Sequence, residues 1–291
     1  MNRVHTRWTF IAAGSVHAPR SGRPRAYAPR VSARAACALG PVLLIALLTT
    51  APRAAAAWRP DTRAAIDYIH SRAGHVTFAV RTDDHLWGYH RTEGVHSASV
   101  VKALLLVTYL DDPRVRSRRL TAADHRLIDP MIRRSDNVAA NKVLAYVGAR
   151  RVQETAARVG MHRFHLNPFV WGGSRVDASD QTRFFLHYDA HVVARHRAAA
   201  MHLLRTIVAE QRWGIGQVRH DGWRLYFKGG WGSGTGLVDH QVALLTHGTD
   251  QVAVAVLTSG NPNHAYGRRT LRGVFARLLR GLAARPVLTP L

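Results

Sequence analysis

Residues 98–110 (Ala-Ser-Val-Val-Lys-Ala-Leu-Leu-Leu-Val-Thr-Tyr-Leu) form a long run whose only charge is Lys102. The run predicts a helix that is apolar almost all the way round, and such a helix is buried on every side. A lysine with no polar face to hold it pays for burial in its charged form, so its pKa is expected to fall. That lysine is also one of only three in the chain, against 38 Arg. Arg keeps its proton in a protein, whereas Lys can release one when its surroundings favour the neutral amine. The other two are Lys228, at the end of an apolar segment, and Lys142, which directly follows Asn141 and reads as an ordinary surface residue.

The chain has 291 residues, and the first 57 do not read as folded protein. Residues 1–37 are rich in Arg, Ala, Ser and Pro and hold no Asp or Glu. An apolar run through Leu39, Val42, Leu43, Leu44, Ile45, Leu47 and Leu48 follows, and then Ala55-Ala56-Ala57. This order describes a secretory signal peptide, with a mature protein starting near Trp58 outside the cytoplasm. The run is short for a membrane span of about 20 residues. A retained anchor is the other reading, and so long a leader also admits a downstream translation start. The single Cys, Cys37, precedes the apolar run, so lipid attachment, disulfides, thiol catalysis and Cys-ligated zinc are not expected of the mature part. The remaining 234 or so residues suffice for one core or two lobes sharing one.

Formal net charge is +23, of which the leader supplies eight Arg. The remaining Arg are scattered through every segment rather than gathered in a stripe. Nucleic acid is therefore not the expected partner; the anionic cell envelope is nearer for an exported protein, and plain compositional bias is an equal reading. No His-Glu-x-x-His or comparable cluster is present among the 18 His, so neither a metal nor another cofactor is expected.

A helix is predicted over 61–72, with Asp61 as N-cap, and strands over His75–Val80 and Leu86–Tyr89. After the buried helix come helices near 121–134, 136–147, 150–159, 179–191 and 194–210, with Gly148 and Gly160 as stops. The loop between Gly160 and Ser179 is long enough to suggest a function. Strands over Trp223–Lys228, Leu237–Thr246 and Gln251–Ser259 and a helix over 265–283 close the chain. Strands joined by short turns imply an antiparallel sheet. The expectation is an α+β protein whose five-stranded antiparallel sheet is flanked by helices. The α/β lobe would take residues 58–97 and 211–291, and an all-α lobe residues 98–210.

Three short motifs could carry chemistry. Ser99-Val100-Val101-Lys102 places Ser99 and Lys102 on one side of a helix, with Ser99 in the first turn, where N–H groups and the dipole favour an oxyanion. A partly neutral Lys102 could take the serine proton; chance occurrence is the competing reading of so short a pattern. Ser135-Asp136-Asn137 lies at a helix junction, where Ser and Asp are also ordinary caps. Lys228-Gly229-Gly230 ends a strand, where glycines admit close backbone approach or simply make a turn. Gly232-Ser233-Gly234-Thr235-Gly236 precedes a strand rather than a helix, which argues against a nucleotide loop. A Ser-His-Asp triad lacks a Gly-x-Ser-x-Gly anchor.

In this order the three motifs resemble those of the penicillin-binding proteins and class A β-lactamases, Ser-x-x-Lys, Ser-Asp-Asn and Lys-Thr-Gly. Asn141 extends the second motif as in those families. The resemblance spans most of residues 58–291 and implies a β-lactamase/transpeptidase-like fold. It implies an acylated Ser99, Lys102 as base, and Ser135 passing a proton to the leaving nitrogen. Asn137 would hold a substrate amide, Lys228 would attract a carboxylate, and Asp136 would hold the loop. The N–H groups of Ser99 and Trp231, beside Gly230, would form the oxyanion hole.

The substrate would be a small β-lactam or a cell-wall peptide, and the protein a monomer. A D,D-carboxypeptidase and a catalytically poor binding protein are the alternatives. There are departures. Class A enzymes carry Glu-x-x-Leu-Asn where this chain reads Arg163-Phe164-His165-Leu166-Asn167. The third motif lacks its hydroxyl, which Ser233 or Thr235 would have to replace, and the spacing between the first two motifs is shorter. Slow deacylation is therefore expected, with Asp177 and His165 as the remaining candidates for a deacylating base and Asp180 read as helix-start chemistry.

Overall fold

A computed structural model describes residues 58–232 and 234–282. The signal-peptide expectation, Cys37 and Ser233 lie outside the described residues. Helix α1, Thr62–His70, starts where Asp61 accepts the N–H of Ala64. The chain then forms β1 (His75–Arg81) and β2 (Leu86–Tyr89), which pair antiparallel. Strands β3 (Val95–His96) and β4 (Arg175–Val176) form a separate two-residue ladder, which the sequence reading missed. Late in the chain come β5 (Arg224–Gly232), β6 (Val238–His247) and β7 (Asp250–Ser259). The order β2-β1-β7-β6-β5 makes the five-stranded antiparallel sheet that was expected. Its central strands read as near-continuous apolar runs because both faces are covered. On one face lies α9 (His264–Leu278), packed in turn against α1; on the other lies α6 (Ala178–Leu186).

Between β3 and β5 the chain is mostly helical. One 3₁₀ turn, Ala98–Val101, leads into α2 (Lys102–Leu110), followed by α3 (Ala122–Arg133), α4 (Asn137–Val147) and α5 (Ala149–Arg158). After α6 come α7 (Tyr188–His191) and α8 (Ala194–Arg205). Every residue of α2 is buried, as its composition requires, with α3, α4, α5 and α8 packed around it and β5 against the preceding turn. Gly148 and Gly160 end α4 and the turn after α5 at φ +80° each, a conformation open to glycine at little cost.

Two helices differ from expectation. The helix expected over 179–191 breaks at His187 (φ −118°, ψ 36°) into α6 and α7. The helix expected to run to 210 stops at Arg205, because the next residues bond elsewhere. The N–H of Val208 donates to Arg133 O, and the Gln211 side chain to Arg134 O. Both contacts are between segments far apart in sequence and leave no periodic trace in it.

Candidate active site

The site is assembled where the start of α2 meets the α3–α4 junction and the edge of the sheet. Ser99 lies within the 3₁₀ turn and is 8% exposed; Lys102, one turn on, is fully buried. N–H groups in such a first turn have no partner within their own helix. Strand β5 is the last strand of its sheet and so offers one row of backbone groups that no further strand takes. It runs directly beside that turn. A Cβ built on Gly230 would stand 2.8 Å from Ser99 N and 2.9 Å from Val100 N, so only glycine lets the two backbones come this close. The strand continues four residues beyond the expected end, through Gly229, Gly230, Trp231 and Gly232. The Trp231 ring packs against Trp213 and His264, and its backbone belongs to the edge.

The α3–α4 junction is shaped by its own residues. The Pro130 carbonyl accepts the N–H groups of both Arg134 and Asp136. Ser135 sits at φ +58°, a strained conformation for a residue with a Cβ. Asp136 caps α4, accepting the Ala139 N–H at 2.7 Å, as the holding role assigned to it requires. This geometry turns Ser135 and Asn137 towards Lys102. The Lys102 amine donates to Ser135 O, to Asn137 Oδ1 at 2.7 Å and to Ser135 Oγ at 3.2 Å. Lys228 reaches the same hydroxyl from β5, 3.1 Å away, and donates to Gly229 O at 2.7 Å. Ser135 Oγ therefore bridges two buried amines whose hydrogen-bond partners are all neutral oxygens.

Burial pulls the Lys102 pKa down to about 7, with the charge of Asp136 offsetting part of the effect. Lys228 is driven well below the usual lysine range by burial and then by the charge of Lys102. The structure thus brings Ser135, Asn137, Lys102 and Lys228 into one hydrogen-bonded cluster, and Ser99, Gly230 and Trp231 to the seam beside it. A cluster with this geometry can activate a hydroxyl, relay a proton between two amines and offer backbone N–H groups to a developing oxyanion.

The loop between α5 and α6 closes over this cluster. At its root Arg163 pairs with Asp177 at 3.0 Å and donates its backbone N–H to Asp180 Oδ2. Arg183 binds Asp180 and Gly160 O. The remaining Asp177 oxygen accepts the Asp180 N–H and caps α6. Burial raises the Asp177 pKa above the usual range despite Arg163. Asp177 is therefore committed to closing the loop rather than placed to activate water. His165 is exposed and bridges Arg175 through backbone bonds alone. The hydroxyl of Thr235 donates to Gly232 O within its own turn.

At the far end, the Ser97 hydroxyl lies within hydrogen-bond distance of Ala98 O, Trp171 O and Gly172 O, which share its one proton, and the Ser97 N–H donates to Ser174 O. This places the Trp171 ring over Lys102 Nζ, 4.7 Å from the ring centroid, while its indole N–H donates to Asn141 Oδ1 at 2.6 Å. Trp171 was missed in the sequence; the available signal was a lone Trp before Gly172-Gly173 in a loop already marked as functional. His240 was missed as well. It is fully buried on β6, accepts the Thr258 N–H at Nδ1 and donates from Nε2 to His96 O, bracing the strand that leads into Ser97. Burial lowers its pKa to about 4.

The β-lactamase enzyme family matches residues 116–280, more than half of the chain. The chain belongs to the β-lactamase enzyme family. That match begins after Ser99 and Lys102, so for those two the β-lactamase resemblance rests on motif and geometry. Among solved structures, a β-lactamase from Sphaerobacter thermophilus superposes with a TM-score of 0.66 at 19% identity, covering 77% of this chain and 97% of that one. An ancestral class A β-lactamase gives 0.62 at 18%, covering 75% and 98%. A β-lactamase from Xanthomonas campestris pv. campestris gives 0.63 at 14%, covering 76% and 97%. At these identities the likeness is one of fold, and the fold is the β-lactamase fold. Comparison with curated proteins gave no match.

Proposed function

We propose that this β-lactamase-family hydrolase is an exported serine enzyme that takes β-lactams or related amides onto Ser99 and releases them slowly. The observation that carries the reading is the meeting of Lys102 and Lys228 on one hydroxyl, Ser135 Oγ, with β5 packed against the Ser99 N–H. Ser99 Oγ attacks the amide carbonyl carbon while Lys102, poised near neutrality, takes its proton. The developing oxyanion lies between the N–H groups of Ser99 and Trp231. The C–N bond then breaks, and the nitrogen receives a proton through Ser135, which Lys102 replenishes. Asn137 orients the substrate amide, and Lys228 supplies positive potential for its carboxylate. Export rests on the basic, apolar and Ala-rich order of residues 1–57.

Slow release rests on the loop, whose carboxylates at Asp177 and Asp180 are occupied by Arg163, Arg183 and backbone N–H groups. A D,D-carboxypeptidase acting on cell-wall peptide uses the same acylation, and this same loop favours it as the second reading. Turnover of a chromogenic cephalosporin separates the two. The decisive test is intact mass after incubation with benzylpenicillin. A lasting adduct on the native protein and none on Ser99→Ala is expected. Equal labelling of both, or of neither, overturns the proposal.

A further inference from the structure

We propose that Trp171 is the positioning residue that governs the lifetime of the acyl-enzyme, its ring shielding the Lys102 amine from the water that would release the product. The inference rests on the reading of Ser99 as the acylated residue and extends it to the second half of the reaction.

The Trp171 ring lies over Lys102 Nζ at 4.7 Å, while Ser135 and Asn137 take the hydrogen bonds of the same amine. Three separate devices hold it there. Its indole N–H is bonded to Asn141 Oδ1 on α4. Its own carbonyl accepts from the Ser97 hydroxyl, two residues before the nucleophile. The ends of its loop are fastened by Arg163 to Asp177 and by Arg183 to Gly160 and Asp180. An aromatic face over an amine favours the charged form and excludes water from the same volume. The first leaves a smaller fraction of free amine to receive a water proton, and the second keeps that water away; Ser99 lies in the 3₁₀ turn that leads into α2, one turn before Lys102.

Release of the ester needs a water oxygen to attack the acyl carbon. One water proton passes to neutral Lys102, the carbon–Ser99 Oγ bond breaks, and the proton then returns to Ser99 Oγ. With no other base at hand among the described loop carboxylates, Lys102 is the group that could take that proton once the ring is gone. The ionisable groups around Lys102 are Lys228 on β5 and Asp136 at the α3–α4 junction. Neither lies on the loop, so removing Trp171 leaves both in place.

The test is the adduct lifetime after benzylpenicillin is removed, read by mass over a pH series. Trp171→Ala is expected to shorten it about a hundred-fold, the low end of a general base's usual worth, with the rate of adduct formation changed much less. The release rate in this variant should rise with pH through about 7, as Lys102 becomes neutral. Trp171→Phe, which keeps a ring, should stay near the native lifetime. Asn141→Ala, on the surface of α4, frees the ring without disturbing the core and should shorten the lifetime to a smaller extent. Unchanged lifetimes in both Trp171→Ala and Asn141→Ala overturn the shielding role while leaving the Ser99 reading standing. No adduct on the native protein overturns that reading and the shielding role with it.

Discussion

Two buried ionic clusters flank the helical part of the molecule, and they are built on opposite principles. At the start of α3, Asp124 receives Arg118 through two hydrogen bonds, the Tyr109 hydroxyl at 2.6 Å, and the N–H and hydroxyl of Thr121. Every acceptor position is filled by a donor, and Arg118 holds the carboxyl well below the usual range. Beyond the end of that helix, Lys102 on α2 and Lys228 on β5 are buried with neutral oxygens as their hydrogen-bond partners, and the charge of Lys102 works against that of Lys228. The first cluster fixes three segments in place and has no spare reactivity. The second leaves its charge only partly offset, by Asp136, which costs stability and makes proton transfer near neutral pH accessible.

The contrast breaks most sharply at Lys102. Lys102→Arg retains the charge and loses the ability to give up a proton. Acylation by benzylpenicillin, followed by mass, should fall by about 10²–10⁴-fold, the usual worth of a general base. Labelling at the native rate would mean that the amine acts only through its field, and the two clusters would then differ in name alone. In the paired cluster, Asp124→Ala leaves the Tyr109 hydroxyl without its acceptor, takes two hydrogen bonds from Arg118 and removes the carboxylate half of the Thr121 capping box. A loss of about 2 kcal/mol, measured by urea unfolding, is expected, with acylation by the folded fraction unchanged. A negligible loss would place this cluster among ornamental surface pairs.

The smallest effect has the most telling sign. The Lys102 pKa is about 7 when folded against roughly 10.4 unfolded, so the unfolded chain binds more protons between those values. Its penalty is full below pH 7 and fades as pH rises towards 10.5. Lys102→Met should therefore raise stability by about 1 kcal/mol near pH 6.5, some 2–4 °C in melting temperature, and by less at pH 9.5. A variant less stable at both pH values would show that the three hydrogen bonds of the amine outweigh its desolvation.

The sequence carried this second cluster unusually well because its members are set by local rules. An apolar helix with one lysine must bury that lysine, and Ser135-Asp136-Asn137 follows a proline-bearing helix whose end makes the turn. The strands were legible as apolar runs between turns. What the sequence withheld is what depends on tertiary closure. Arg163 reads as a missing catalytic acid, but it is the clasp for Asp177. The position of Trp171 depends on Asn141, Ser97 and both ends of the loop together, and no spacing encodes that. His240 looked like one histidine among eighteen until its two nitrogens were seen to link three segments.

Gly230 bears on how such a protein can change over generations. A substitution in a packed core can be rescued by trimming the side chain it strikes. Here the obstacle to a side chain is the main-chain nitrogen of Ser99 and of Val100, together with Ser97 O. No replacement at those positions removes a backbone atom. A mutation at 230 therefore has no partner mutation in that turn able to give back the room, and the contact between strand and Ser99 turn can be inherited whole or lost, but not renegotiated one residue at a time.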